Sequence, residues 1–535
     1  MMNRKSSVRA GLVLLGSVLV LGASEYQADP TGSVTGLDSI FTTGPVFQDR
    51  NGDDGVDYVQ ATIILGDSPS TSDVAAAADI AARLGYETMA MDLPMPNDLN
   101  AEGLGILVGS AALQRAGLEP DAAGMGGLDA GEGVVRFVSS GERDWVVVAG
   151  ADDVGTRSAA MALAGKLPHI GAPNGKKLED VTKELEAFLS GREVEARELH
   201  VESVQVKSGE DAFERLVVEV ALESVAAQRK ARSALRTLAR RADSGQAEDE
   251  PPLSYDGAKV LRIVLSAPGT SAMSVNVPRV EPDDEGGPIP ARPGSGAKEK
   301  LDLSSIYSND GFLGDSDRNE IPDRLDVLLS PSGDGVNATM DLAARLGLES
   351  TGVVLPIAEP AETLEDPKKA PTLVLIGVEH PIVKQLVEDE KVSLPALEPG
   401  QGYIQIVPKA FGKKSAVVIT GGDEQGLNRA IKQVAEQFPH VWERGKDRTT
   451  LDDIELDLWR FFSGRSPSGQ AAVAMYKLDQ LVADLSDKDL ESAHVLVSLE
   501  KTADGLEGWV RQKASGLGAD TLDVTIDNRD VEKAK

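Results

Sequence analysis

"DWVVVAGADDVGTRSAAMALAGKLPHI", Asp144 to Ile170, is the stretch whose reading decides the fold. A short apolar run, Trp145 to Ala149, ends at Gly150 and gives way to two acids. Such a run bounded by glycine marks a strand covered on both faces, as in the parallel centre of an α/β sheet. The residues after it predict a helix closed by Pro168. Asp152 and Asp153 stand where carboxylates satisfy first-turn N–H groups and favour the helix dipole. A glycine-rich turn before a helix also suits anion binding. Here the acids occupy that end, and neither a Walker lysine nor a complete G-x-G-x-x-G is present. Capping is therefore the reading adopted.

The stretch occurs twice. "SAVVITGGDEQGLNRAIKQVAEQFPHV" from Ser415 repeats it, with Asp423 and Glu424 in place of the acid pair. Other blocks recur in the same order: Leu37 with Leu303, "DIAARLGYETMAMDLP" from Asp79 with "DLAARLGLESTGVVLP" from Asp341, and "FLSGR" at Phe188 with "FFSGR" at Phe461. Separations of 262 to 273 residues at conserved order define a tandem duplication. The expected organisation is 1–24 signal peptide, 25–280 first repeat, 281–300 linker and 301–535 second repeat. The linker, "EPDDEGGPIPARPGSGAKEK", has the proline, glycine and charge of a flexible connector. "RADSGQAEDEPPLSYDG" from Arg241 reads as a loop within the first copy.

Within each copy strands and helices alternate. "YVQATIIL" (Tyr58 to Leu65) reads as a strand, and "SDVAAAADIAARLG" as a helix with Ser72 or Asp73 as N-cap and Gly85 as stop. "GILVG" is a further buried strand. The fold class expected is α/β: two tandem copies of a layered, flavodoxin-like unit, each followed by a smaller α+β segment. "FERLVVEVAL" and "SVAAQRKARSALRTLARR" form that segment in the first copy. "QAAVAMYKLDQLVADL" and "AHVLVSLEK" form it in the second.

"GADDVGTRSAAMALAGKLP", with "GILVGS" and "LVLIGVEHP", resembles part of the flavodoxin-like domains of the periplasmic cellulose synthase regulatory subunit. It is also similar to non-catalytic N-terminal domains of several glycoside hydrolases. The resemblance covers about 60 residues per copy. It implies an exported α/β fold near carbohydrate chemistry and carries over no catalytic residue.

The N-terminus fits export. Arg4, Lys5 and Arg9 precede the apolar run Ala10 to Ala23, which is shorter than the ~20 residues needed to span a bilayer. Gly22, Ala23 and Ser24 offer a cleavage point at Ser24–Glu25. The expected product is periplasmic or extracellular, without a membrane span after cleavage. The chain has 86 acidic and 54 basic residues and a net charge of -32. A surface of that sign repels phosphate backbones, so no nucleic acid is expected as a partner. Cysteine is absent, which excludes disulfides, thiol nucleophiles and cysteine metal sites.

Two loops that open the repeats carry oxygen-bearing side chains at matching positions. "QDRNGDDGVDYV" has Asp49, Asn51, Asp53 and Asp57; "GDSDRNEIPDR" has Asp315, Asp317, Asn319 and Asp323. Calcium takes six to eight oxygen ligands, and alternate positions in a tight loop supply them. "DSDRNEIPD" resembles the aspartate-rich calcium repeats of thrombospondin type 3 modules, with Arg318 in place of the usual small residue. Exposed turns also favour Asp, Asn and Gly, so metal loop and polar turn both stay open.

Catalytic signals are sparse. Five histidines, His169, His200, His380, His440 and His494, include no H-E-x-x-H, and no G-x-S-x-G elbow occurs. His169 and His440 each follow proline at a helix end, a structural position. Trp442 and Trp459 suit packing before sugar stacking. Two function classes follow. One is a non-enzymatic binding or assembly protein, with an envelope protein or polysaccharide as partner and calcium in the opening loops. The other is a carboxylate-using hydrolase, glycosidase or peptidase-associated, with its site between the repeats.

Overall fold

The computed structural model describes residues 34–278, apart from 53–54, 92, 94, 96, 141–142, 171–176, 210–212, 244–252, 254 and 256. It also describes 298–438, apart from 317, 319–320 and 334–336, then 12–13, 478, 482, 492–499, 506–517, 519 and 521–528. The chain divides into a unit of residues 28–441 and a second unit of 1–27 with 442–535.

In the larger unit the apolar runs become the centre of a mixed sheet. β1 (Ala61–Ile64), β2 (Leu104–Val108) and β4 (Arg143–Gly150) run parallel, and β3 (Glu132–Ser140) lies antiparallel to β4. β5 (Ala196–Lys207), β6 (Phe213–Leu222), β7 (Ala258–Ser266) and β8 (Met273–Pro278) extend the same sheet. The order is β8-β7-β6-β5-β3-β4-β2-β1. A second sheet holds β9 (Val327–Pro331), β10 (Thr372–Ile376), β11 (Gly402–Phe411) and β12 (Lys414–Gly421), in the order β9-β10-β12-β11. Its first three neighbours are parallel and the last pair antiparallel, the order and senses of β1-β2-β4-β3. The fold is thus α/β with mixed sheets.

Helices cover both faces. α1 (Thr71–Tyr86), α2 (Ser110–Ala116), α3 (Asp153–Met161), α4 (Leu178–Ser190) and α5 (Val225–Asp243) belong to the first sheet. α6 (Thr339–Leu348), α7 (Pro381–Glu388) and α8 (Glu424–Lys432) belong to the second. One large core holds the α1, α3, α4 and α6 sides of both sheets, with Ile106, Val146, Ile80, Leu342 and Val417 among its buried members. Smaller cores lie under α2, around Leu107, Leu113 and Trp145, and under α7, around Leu375, Val383 and Leu386.

Two local expectations change. The cap of α1 is Ser70 rather than Ser72 or Asp73: its Oγ accepts the Asp73 N–H at 3.1 Å and the Asp73 carboxylate accepts the Ser70 N–H at 3.3 Å. That reciprocal box satisfies two donors at once. Gly85 does not stop α1, which runs on to Tyr86. Its missing side chain serves a helix crossing instead, described below.

The α+β segment following the first copy is continuous with the main sheet. β5 pairs with β3 from Glu132↔Lys207 to Arg136↔Ser203, so it continues the main sheet. In the smaller unit, β13 (Ser492–Leu499) and β14 (Thr521–Asn528) are parallel, joined through α9 (Leu506–Ala514). Val495, Val510, Ala514 and Val524 are buried there. Leu12–Val13, inside the expected signal peptide, pairs with Val497 and Ser498 of β13.

Candidate functional site

The contact between the two copies was the place expected for a hydrolase site. α1 and α6 cross there so closely that an added Cβ on Gly85 would meet the Ala344 carbonyl, and one on Gly347 the Ala82 carbonyl. Equivalent residues then bond across the contact. Asp79 Oδ1 accepts the Ile357 and Ala358 N–H groups at 2.8 and 3.2 Å. Asp341 Oδ1 accepts the Met95 N–H at 2.7 Å. Burial pushes both carboxyls up to about 6, since the charged form loses its hydration. The Arg157 guanidinium lies 3.6 Å from Asp79 Oδ2 and works against that rise.

Behind this contact, each copy locks a buried arginine. Arg83 bonds Glu87 at 2.6 Å and donates to the carbonyls of Ala164, Leu167 and Pro168. Arg345 bonds Glu349 at 2.6 Å and donates to those of Ala435 and Phe438. A π-helical turn after α3 and after α8, Ala162–Lys166 and Gln433–Gln437, supplies one of these carbonyls in each copy. His169 joins through Glu87, at 2.6 Å. Burial opposes the Glu87 charge, yet the His169 bond and Arg83 hold its carboxyl below the usual range. The partner of His169 is thus Glu87. His440 lies outside the described residues.

The opening loops are hairpins. Phe47–Gln48 pairs with Tyr58–Val59, and Leu313–Gly314 with Arg324–Leu325. Asp57 accepts the N–H groups of Arg50 and Asn51 at 2.9 and 3.2 Å, and Asp49 that of Gly52 at 2.7 Å. In the second loop Asp323 accepts the Ser316 N–H at 2.8 Å and Asp315 the Arg318 N–H at 2.7 Å. These four carboxylates tie the loop backbone in matching ways. Asn51 sits in the first loop beside them; Asp53, Asp317 and Asn319 lie outside the described residues. Among the described residues no group of three acid, histidine or cysteine side chains is placed to hold a metal ion.

One pair has the look of a nucleophile and its base. His380 Nε2 lies 3.1 Å from Ser330 Oγ, both fully buried. The Ile382 N–H, however, donates to His380 Nδ1 at 3.1 Å as the cap of α7. The ring proton is then on Nε2 and donates to serine, the reverse of what a general base requires. Burial pushes this histidine down to about 4, and its role is structural. Trp145 is core, its ring against Gly105. Trp442 and Trp459 lie outside the described residues.

The polar site that does assemble was not singled out by sequence. β3 pairs with β5 only as far as Arg136↔Ser203, yet continues along β4 to Ser140. β5 continues along β6 back to Ala196. Between them the sheet splits, and a cleft of about 440 Å³ opens. Phe137, Val138 and Ser139 form one wall; Glu198, His200 and Glu202 form the other. The split coincides with a register shift between Val201 and Ser203. Glu202 is the extra residue, and such a bulge re-aims side chains. Gly36 threads the gap, where an added Cβ would come within 2.8 Å of His200 Cβ. Asp38 fixes that segment by accepting the Val201 N–H at 3.0 Å.

Inside the cleft Arg136 pairs with Glu202 at 2.6 Å. His200 stands opposite Glu219 in the ladder. Its Nε2 is 4.0 Å from Glu219, and its Nδ1 is 3.9 Å from Glu198. His200 Nδ1 and Arg136 Nε are buried without a hydrogen-bond partner. Burial and the neighbouring Glu202 raise the Glu219 carboxyl. Burial likewise raises Asp38. The signal available in sequence was alternation: "ELHVESVQVK" places Glu198, His200 and Glu202, then after a one-residue shift Ser203, Gln205 and Lys207, at every other position, facing "FERLVVEVAL", so one strand face had to be polar.

No family model matches the chain, and no curated protein is significantly similar to it.

Proposed function

We propose that this chain is an exported, non-enzymatic binding or assembly protein of the cell envelope, periplasmic or extracellular. One observation supports this reading above others. The contact between the two copies, where the hydrolase reading needs a cleft, is filled by crossing helices and by hydrogen bonds from Asp79 and Asp341. A scaffold that fixes two α/β modules against each other suits a protein that presents surfaces to a partner, an envelope protein or a polysaccharide. No described helix is long and apolar enough to cross a membrane. Calcium in the opening loops is part of the proposal and rests on the four matching oxygen positions of each loop. Asp49 and Asp57, or Asp315 and Asp323, would be among the side chains that hold the ion, and calcium would supply stiffness to the hairpin.

The test has two arms. Thermal melts of the mature protein with calcium and with chelator should differ, because a ligand that binds only the folded chain raises its stability. Equal melting temperatures remove calcium from the reading. Immobilised envelope polysaccharides and envelope extracts should capture the protein without being changed. Release of sugar or peptide from them would overturn the non-enzymatic assignment.

A further inference from the structure

The two sheets begin alike and end differently. In the first, β5 adds to the outer side of β3 from Glu132 to Arg136. In the second, β11 holds the place of β3, with Gly402 opposite Gly421 as Gly133 is opposite Gly150. Among the described residues no strand pairs with its outer side. The Gly422 N–H donates to the Gln401 carbonyl at 2.9 Å. Antiparallel hydrogen bonding alternates along a strand, so Tyr403, Gln405 and Val407 also face β12. The N–H and C=O groups of Gly402, Ile404 and Ile406 then point outward. Burial records the missing neighbour. Gly133, Val134, Val135 and Phe137 are buried, whereas Gly402 is exposed and Tyr403, Ile404 and Ile406 are only half-buried. Arg136 reaches Glu202 on the added strand at 2.6 Å. Gln405, at the matching position, has a buried Oε1 with no hydrogen-bond partner.

An open edge is a template for another strand, and chains blunt such edges with proline, lysine and bulges. Past Val407, β11 has all three: Pro408, Lys409 and a break in register with β12 before Phe411. Gly402 to Val407, "GYIQIV", has none of them and no charge. Charge is divided between the two ends of the strand. Glu398, Asp423 and Glu424 stand at its start, beside Arg429. Lys409, Lys413 and Lys414 stand at its end, beside Glu299. An antiparallel pair of identical strands is two-fold symmetric and sets the start of each against the end of the other. Acid then meets base at both ends, and no charge lies at the axis. We propose that the outer edge of β11 pairs with β11 of a second copy of this chain, antiparallel, joining two four-stranded sheets into one of eight. A contact of one strand pair is at the small end of stable interfaces, so the association is micromolar and reverses on dilution.

The full mature chain would be followed by sedimentation velocity over a range of concentrations, with hydrogen exchange read at residues 402–406. A reversible monomer–dimer equilibrium is expected, with slower exchange at these residues as the dimer forms. Gln405→Arg, which copies Arg136 of the first sheet, brings two cations close to the axis. It should weaken the dimer about tenfold or more with the melting temperature kept. Lys409→Glu should weaken it as well. Adding Glu398→Lys to that same chain should restore it, because the exchanged charges again meet their opposites. A chain that stays monomeric at every concentration overturns the proposal. So does a dimer indifferent to Gln405→Arg and to the charge exchange, since its contact then lies elsewhere. A monomer that instead takes up a synthetic ELHVESVQVK peptide, with slowed exchange at 402–406, assigns the edge to a separate strand and removes the second copy.

Discussion

Arg318 occupies the left-handed region with φ of 62°, and Gly52, at the matching position of the first loop, has φ of 76°. Both donate their N–H to the aspartate three residues earlier at 2.7 Å. The left-handed conformation is free for glycine and costs a residue with a Cβ about 1 kcal/mol or more. In the sequence Arg318 looked like a departure from a calcium-repeat pattern; the backbone explains why a small residue suits the place with or without an ion. Arg318→Gly should therefore raise unfolding stability by about 1 kcal/mol in urea titration. A variant that is no more stable than the parent would show that the arginine side chain repays the strain through contacts of its own.

At the scale of elements, the apolar runs were readable because a strand covered on both faces leaves no other pattern. Trp145 to Ala149 and Ile106 to Val108 sit at the parallel centre, all buried. Gly85 was misread because a glycine near a helix end has two uses, and only a neighbouring helix distinguishes them. α1 is buried from Ser72 to Gly85, so its alanines and Gly85 answer to α6 rather than to solvent. Gly85→Val should destabilise the fold by about 1–3 kcal/mol, as overpacking does, read by chemical denaturation. A neutral result would mean that the helices part without cost. The His200 cleft was illegible for a different reason. Arg136, His200 and Glu219 come from three strands, and only register and the bulge at Glu202 bring them together. Local pattern gives alternation but not partners.

For the molecule as a whole, the buried acids of the contact add a pH-dependent contribution to stability. Asp79 and Asp341 rise from the ordinary 3.8 to about 6 in the folded chain. Between those values the folded state holds protons that the unfolded state has released, so stability falls as the pH rises through about 6. The contribution is fully present below about pH 4, within the limits set by other groups. Asp79→Asn keeps the acceptor for Ile357 and cannot ionise. From pH 4.5 to 7.5 the parent should lose about 2 kcal/mol more stability than this variant, in urea titrations at each pH. Parallel pH profiles would contradict the raised Asp79 carboxyl. Glu87, shifted the other way, is present in both proteins and cancels.

The ties made by Asp79 and Asp341 have a consequence for how the protein tolerates change. In an association of two identical chains, one altered codon appears on both sides of the contact, and the association fails on dilution. Here both sides are encoded separately in a single polypeptide, so their meeting is intramolecular and indifferent to dilution. Each side is also free to drift alone. One half of the molecule can keep the joint closed while the other accumulates a bulge, a parted pair of strands and a new lining.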